Sequence, residues 1–318
     1  MKKVFKITGK VFLCLLILLT VCLLILFVYH RIMLHKEDKL LNSYPGELVE
    51  IDGHRMNIYS EGEGEHTLVF LAPAGDTSPV MTFKPLYSKL NSSCKTVVIE
   101  KFGYGMSDVV DTKRDYHVMV DECRKALAMK GIEAPYILCP YSKSGIDALT
   151  WAQNYPDEVE AIISIDMAFP ESYENVDIPQ EPNQSPIISF LKGSGIIRLF
   201  VTDSVYPDIY SQEDKEMMRA LDCRKFGNIV FSNEMITIPD ACKLINSVEK
   251  PDTPMLLFLT SGEGTGMDAD TWRGFAYRYI TDISDVKCTE FDCGHGEIIY
   301  KEYEQLSSEI NVFIEGLK

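Results

Sequence analysis

A chain of 318 residues, 46% of them apolar, has material for one large hydrophobic core or two modest ones. Its formal charge of -16 excludes functions that depend on gripping a nucleic-acid backbone, which require clustered Lys and Arg. Nine cysteines, two in an apolar N-terminal run and the rest scattered singly, read as buried thiols rather than a disulfide framework. Cys293 and His295 lack the C-x-x-C or H-x-x-x-H companions that a metal site needs.

Lys2, Lys3, Lys6 and Lys10 precede VFLCLLILLTVCLLILFVY (11–29), an uncharged stretch close to the ~20 residues that cross a bilayer as a helix. A cleavable signal peptide has a shorter apolar region, roughly 7–15 residues, followed by small residues at the cut site. Here HRIMLHKEDK follows, so the expectation is a retained transmembrane signal anchor over 11–29, after a basic cytoplasmic segment over 1–10 and before a linker over 30–45. The four leading lysines, against Arg31, Lys36 and Lys39 mixed with Glu37 and Asp38, predict a cytoplasmic N-terminus and place the domain over 46–318 outside the cell. That domain is more acidic than the whole chain, so its attachment to the lipid bilayer is expected from the anchor alone.

GELVEIDGHRMNIYSEG alternates apolar and polar residues on both sides of Asp52-Gly53, which predicts a β-hairpin. Short apolar runs suited to strands buried on both faces follow at 67–72, 95–100, 136–140, 160–166, 254–260 and 286–292. Helix-period segments at 117–131, 145–156 and 302–317 separate most of them. The alternation predicts an α/β fold with a mostly parallel central sheet covered by helices on both faces. Between Asp166 and Pro254 the alternation stops, and the stretch reads as a helical lid inserted over about 170–250. Within it Ser211 is placed to cap a helix, with Asp214 completing the box.

Parallel sheets place their sites at the carboxyl ends of the strands. One such end is ILCPYSKSGIDAL (137–149), where Ser142 stands at a strand-to-helix joint. A nucleophile elbow needs small residues two before and two after the serine. Those places hold Pro140 and Ser144; taking Ser144 as nucleophile instead would put Ile146 where a small residue is required. The plainer alternative makes Ser142 or Ser144 a helix N-cap. A reactive serine needs a base. His30 and His35 flank the apolar run, His54 and His66 lie around the hairpin and His117 starts a helix, whereas His295 follows the last strand on the glycine-flanked loop FDCGHGE.

From residue 46 to 318 the chain resembles an α/β-hydrolase. The resemblance rests on strand then APAGDTSP, strand then EKFGYGMSD, the elbow at 142, the insert, and the late Gly294-His295. FGYGMSD (102–108) is similar to the family's G-x-G-x-S turn, and APYILCPYSKSG resembles its elbow with Pro140 for Gly, Tyr141 for His and Ser144 for Gly. The resemblance implies a triad of Ser142, His295 and an acid. In some relatives the acid follows the strand after the elbow helix, here Asp166; in others it follows the strand after the lid, where Glu263, Asp268 or Asp270 would have to serve. Asp166 is the first choice, Glu263 the alternative, and Asp292 is expected to cap its loop. Oxyanion donors are expected from the Lys143 amide and from Ala74-Gly75, with the Lys143 side chain directed to solvent.

A serine at the elbow implies acyl transfer to water from a small-molecule ester, thioester or amide, with no cofactor. A carboxylesterase or lipase is the simplest form; an aminopeptidase, amidase or acyltransferase shares the triad, and a catalytically silent binding domain is the competing class. Ile187, Ile188, Phe190, Ile196, Ile197, Leu199 and Phe200 are candidates to line an acyl pocket, but are expected mostly to pack the lid onto the body.

Overall fold

The structure, a computed structural model, describes residues 2–90 and 93–317, with side chains from residue 5 onward; Met1, Lys318 and the side chains of Lys2 and Lys3 lie outside the described residues. Its first element is α1 (Lys2–Leu41), a helix long and apolar enough to cross a membrane. The expected linker over 30–45 is mostly helix, because α1 runs unbroken to Leu41 and the far end of it is buried against the rest of the protein at His30, Glu37 and Leu41.

β1 (Glu47–Ile51) and β2 (His54–Glu61) form the expected hairpin. Asp52 and Gly53 turn the chain at φ of 52° and 84°, the positive values that a two-residue primed turn requires. Then follow β3 (Thr67–Leu71), α2 (Pro79–Tyr87), β4 (Lys95–Glu100), α3 (Tyr116–Met129), β5 (Tyr136–Pro140), α4 (Gly145–Asn154) and β6 (Val159–Ile165). An insert carries α5 (Pro186–Ser194), α6 (Gln212–Lys225), α7 (Ile229–Met235) and α8 (Ile238–Ser247). Last come β7 (Met255–Leu259), α9 (Ala269–Tyr279), β8 (Val286–Glu290) and α10 (Ile298–Ile314). Ser211 caps α6 by accepting from the Asp214 N–H, with the Asp214 carboxylate returning the bond.

The eight strands lie in the order β1-β2-β4-β3-β5-β6-β7-β8, with β1 and β2 antiparallel to their neighbours and the others parallel. Side chains alternate between two cores. Val69, Leu71, Leu138, Ile162 and Leu257 face one side, while Leu68, Phe70, Ile137, Ile163 and Phe258 face the other. Continuous apolar runs therefore become strands because both faces are covered. β8 departs from that expectation: only β7 pairs with it, so Lys287, Cys288 and Glu290 are exposed at the sheet edge.

Glu100, at the carboxyl end of β4, is fully buried. It survives there because donors surround it: Tyr44 OH at 2.6 Å, the Met106 N–H at 2.7 Å, Asn57 Nδ2 at 3.0 Å and the Val80 N–H at 3.3 Å. Burial still pushes its pKa up against those bonds. The turn 102–108 wraps the carboxylate so closely that a Cβ on Gly105, at φ +46°, would stand 1.9 Å from it. Gly105→Ala is therefore expected to destabilise the protein by on the order of 1–3 kcal/mol, as overpacking does. Denaturant unfolding of the full chain in detergent measures this, and an unchanged midpoint would contradict the packing described.

Candidate active site

Three strand ends converge at one place. Leu71 and Pro140 are partners in the β3–β5 register, and the Tyr141 N–H donates to the Leu71 carbonyl at 3.2 Å, so the loop after β3 lies beside the joint after β5. At that joint Ser142 has φ +57°, a left-handed conformation that costs a non-glycine residue about 1–3 kcal/mol and turns its side chain out of the sheet. The residues around it explain how the turn is held without the expected small pattern. Ser144 is fully buried, accepts from the Tyr141 N–H at 2.9 Å and has the Leu71 carbonyl within donating distance at 2.7 Å. Its hydroxyl is a stitch across the turn. Close approach is needed one position later, at Gly145, where a Cβ would meet the Ala168 carbonyl at 2.2 Å. The Ala168 N–H in turn donates to the Ser142 carbonyl at 2.8 Å.

His295, in the loop after β8, places Nε2 2.8 Å from Ser142 Oγ and Nδ1 2.5 Å from Asp166 Oδ2. Its backbone is held on both sides, the N–H donating to the Glu263 carbonyl at 2.8 Å and the carbonyl accepting from Tyr141 OH at 2.7 Å. Asp166 follows β6 at φ +48° and is fully buried. Besides the imidazole it accepts from the Thr260 N–H at 2.9 Å, Thr260 Oγ1 at 2.6 Å and Trp272 Nε1 at 2.9 Å. Both carboxylate oxygens are thereby used, which answers the cost of burying it. Trp272 also stands edge-on to the imidazole, 5.3 Å between ring centres.

The structure thus brings Ser142, His295 and Asp166 into one hydrogen-bonded chain. Glu263 touches the histidine only through its backbone, and its side chain is exposed. Asp268 is the N-cap of α9, accepting from the Thr271 N–H at 2.9 Å, and Asp270 lies in the first turn of that helix, so neither reaches the imidazole. Asp292 is exposed; the loop is capped by Glu297, which accepts from the Gly294 N–H at 3.0 Å. Thr260 and Trp272 carried no signal in the sequence, since their partner lies 94 and 106 residues away.

The Lys143 side chain, expected in solvent, is 2% exposed. Its Nζ donates to Glu234 Oε2 at 2.6 Å and lies 3.6 Å from Asp147 Oδ2, while Lys101 Nζ donates to Asp147 Oδ1 at 2.7 Å. Tyr104 OH donates to the same Glu234 oxygen at 2.8 Å. Burial works to lower the lysine's pKa, but the Asp147 and Glu234 carboxylates outweigh it and hold it well above the usual value. Glu234 belongs to α7, so this cluster of two cations and two anions ties the elbow to the insert. On the same helix Phe231 lies within 4 Å of where a Gly75 Cβ would stand, over the loop after β3. The amides of Ala74, Gly75 and Lys143 donate to no acceptor among the described residues. A cavity of about 450 Å³ lies elsewhere, between α3, α4 and α8, lined by His117, Thr150 and Ile245.

The mostly parallel sheet, the strained serine after β5 and the histidine after β8 define an α/β-hydrolase fold, and solved structures agree. The chain superposes on epoxide hydrolase VrEH1 from Vigna radiata with a TM-score of 0.67 at 14% identity, covering 86% of this chain and 99% of that one. Cfl2 from Burkholderia cenocepacia gives 0.65 at 16% identity over 84% and 95% of the two chains. An esterase from Thermogutta terrifontis gives 0.59 at 17% over 86% and 97%. These identities speak for the fold alone. No protein-family model matches the chain. Over 264 residues, 81% of each chain, it is 34% identical to the uncharacterized protein YbdG of Bacillus subtilis (strain 168), and it belongs to that protein's family. A shorter stretch of 118 residues, 37% of this chain and 41% of the other, is 28% identical to 2-(acetamidomethylene)succinate hydrolase of Mesorhizobium japonicum.

Two predictions concern the frame around the site. Glu234→Gln leaves buried lysines short of an anion and is expected to cost about 3–5 kcal/mol in denaturant unfolding; a loss near zero would mean the cluster is dispensable. Asp76, next to Gly75, has Oδ2 buried without a hydrogen bond, and burial, with Glu100 and Asp222 nearby, pushes its pKa up to about 7 from 3.8. Because the folded state holds this proton more tightly, its contribution to stability is complete below the unfolded value and is lost as pH rises through the folded one. Asp76→Asn should accordingly gain stability relative to the parent as pH rises from about 4 to about 7, and keep that gain above it. Parallel stability–pH curves for the two proteins would refute this.

Proposed function

We propose that the protein is a serine hydrolase of acyl substrates, with Ser142 as nucleophile, His295 as general base and Asp166 as the acid. The observation that carries this reading is the hydrogen-bonded chain from Ser142 Oγ through the imidazole to a buried carboxylate, at 2.8 and 2.5 Å. In the reaction Ser142 Oγ attacks the substrate carbonyl while its proton passes to His295 Nε2. Asp166 accepts from Nδ1–H, keeps the imidazole in the tautomer that leaves Nε2 free, and stabilises the imidazolium that forms. His295 then protonates the leaving group, and water, activated by the same nitrogen, releases the acyl group from the serine.

The free amides of Lys143 and of Ala74-Gly75 are the donors for the oxyanion. The salt bridge from Lys143 to Glu234 fixes the first of these, which makes the lysine side chain a positioning group rather than a charge in the site. The M. japonicum relative is by name a hydrolase of 2-(acetamidomethylene)succinate, and the T. terrifontis neighbour is an esterase. Amides therefore belong in the substrate screen beside esters and thioesters. In this reading α1 is a retained membrane anchor with the lysine-rich end in the cytoplasm and the hydrolase domain outside the cell.

A fluorophosphonate probe tests the assignment on the full chain in detergent. Labelling is expected in the parent, absent in Ser142→Ala and steeply reduced in His295→Ala. Asp166→Asn should slow turnover of an activated ester about 10⁴-fold, as loss of the correct tautomer does, whereas Glu263→Gln should leave it unchanged. A folded parent that takes no label would instead favour a silent binding domain.

A further inference from the structure

The far half of α1 is clamped along one face by the insert. Gly195, the left-handed residue that ends α5, lies so close that a Cβ there would stand 3.0 Å from the Leu26 carbonyl and 2.5 Å from His30 Cβ. Arg198 donates from Nε to His30 Nδ1 at 2.9 Å and from its two terminal nitrogens to Glu37 at 2.5 and 2.8 Å. Arg224, on α6, donates to Glu37 at 2.6 Å, Asp38 at 2.8 Å and the Leu34 carbonyl at 2.6 Å. Glu37 is 5% exposed, so this is a built joint rather than a passing surface contact.

The depth of the joint is what matters. Leu26 belongs to the apolar run 11–29, three residues before its end, which is about 5 Å along a helix. Whatever packs at Leu26 stands at the level where hydrocarbon gives way to headgroups. The same short part of the insert turns large apolar side chains outward: Ile187, Phe190, Leu199 and Phe200 are 70%, 58%, 60% and 67% exposed. The expectation that the apolar residues of the insert mostly pack onto the body holds for Ile197, which is buried, but not for these four. The same part of the insert, at Phe200, borders a cavity of about 340 Å³ lined by Ile188, Leu191, Ile197, Phe200 and Phe226, with Asp222 its one acidic residue. Asp222 accepts from Thr77 Oγ1 and from Tyr206 OH, so the far wall of the cavity adjoins the loop that carries Gly75.

We propose that α5 and the turn through Phe200 lie in the interfacial layer of the bilayer that α1 crosses, with Ile187, Phe190, Leu199 and Phe200 against lipid acyl chains and the cavity open to the same lipid. The inference rests on α1 being a membrane anchor. An exposed apolar patch on a soluble domain is otherwise unfavourable, and lipid is the occupant that the joint itself supplies. The domain is then seated on the membrane in one orientation rather than tethered to it.

The test uses the full chain reconstituted into phosphatidylcholine vesicles, with tryptophan as a depth probe. The native tryptophans, Trp151 and Trp272, are buried and provide a constant background. Phe190→Trp and Phe200→Trp are compared with Leu19→Trp in the middle of α1 and with Tyr277→Trp, on α9 beside the edge strand β8. Phosphatidylcholines brominated near the headgroup should quench Phe190→Trp and Phe200→Trp several-fold more than Tyr277→Trp, while bromines near the chain ends quench Leu19→Trp most. If Leu19→Trp is quenched but the two insert positions behave like Tyr277→Trp, the seating is wrong and the anchor stands. If Leu19→Trp is not quenched either, the anchor reading fails and the seating falls with it.

Discussion

A carboxylate with no access to water organises the carboxyl edge of the sheet. Asp166 emerges from β6 in a left-handed conformation and is met by Thr260 from the end of β7, Trp272 from α9 and His295 from beyond β8. An unpaired ionised group there would be intolerable. The surrounding chain must supply its donors, and in doing so it brings four distant segments to one point. The imidazole is the donor that also faces outward, which is why the same constraint that stabilises the carboxylate orients His295 toward Ser142.

The turn that carries Ser142 is held by a second buried set of charges. Lys143 cannot reach solvent, so its ammonium is compensated by Asp147 one helical turn on and by Glu234 in the insert. Replacing a buried ion pair by apolar residues is often neutral or stabilising, so such a cluster is better understood as specifying geometry than as adding stability. Here it fixes how the insert sits over the elbow and over the loop after β3. The insert is thus part of the site's frame, although its interior shows none of the strand pattern that marks the body.

At its other side the insert holds α1 through Arg198, Arg224 and Glu37, and Tyr44 then carries the chain to the buried Glu100. The apolar helix α1, the insert and the turn at Ser142 are joined in series by buried polar contacts. A helix that its apolar pattern alone would set apart from the domain is mechanically continuous with it, and the orientation of the edge that carries Ser142 and His295 follows from the orientation of the helix.

Much of this was legible in the order of residues because it depends on local periodicity. The hairpin at Asp52-Gly53, the apolar strands, the Ser211 cap, the apolar run 11–29 and the placement of Ser142 and His295 at strand ends all follow from patterns a few residues long. Asp166 stands out in the sequence because a carboxylate ending an apolar strand needs partners. What those partners are, Thr260 and Trp272, was decided only by the folded chain, since no local pattern links residues about a hundred positions apart. The same holds for Lys143, whose burial depends on a carboxylate 91 residues away, and for the residues after 29, which continue a helix because the insert covers one face of it. The sequence by itself determined which segments are strands, which serine stands at a turn and which helix is apolar enough for a membrane. Only tertiary structure decided which buried charges meet, because the free energy of a buried charge is set by neighbours that lie far apart in the chain.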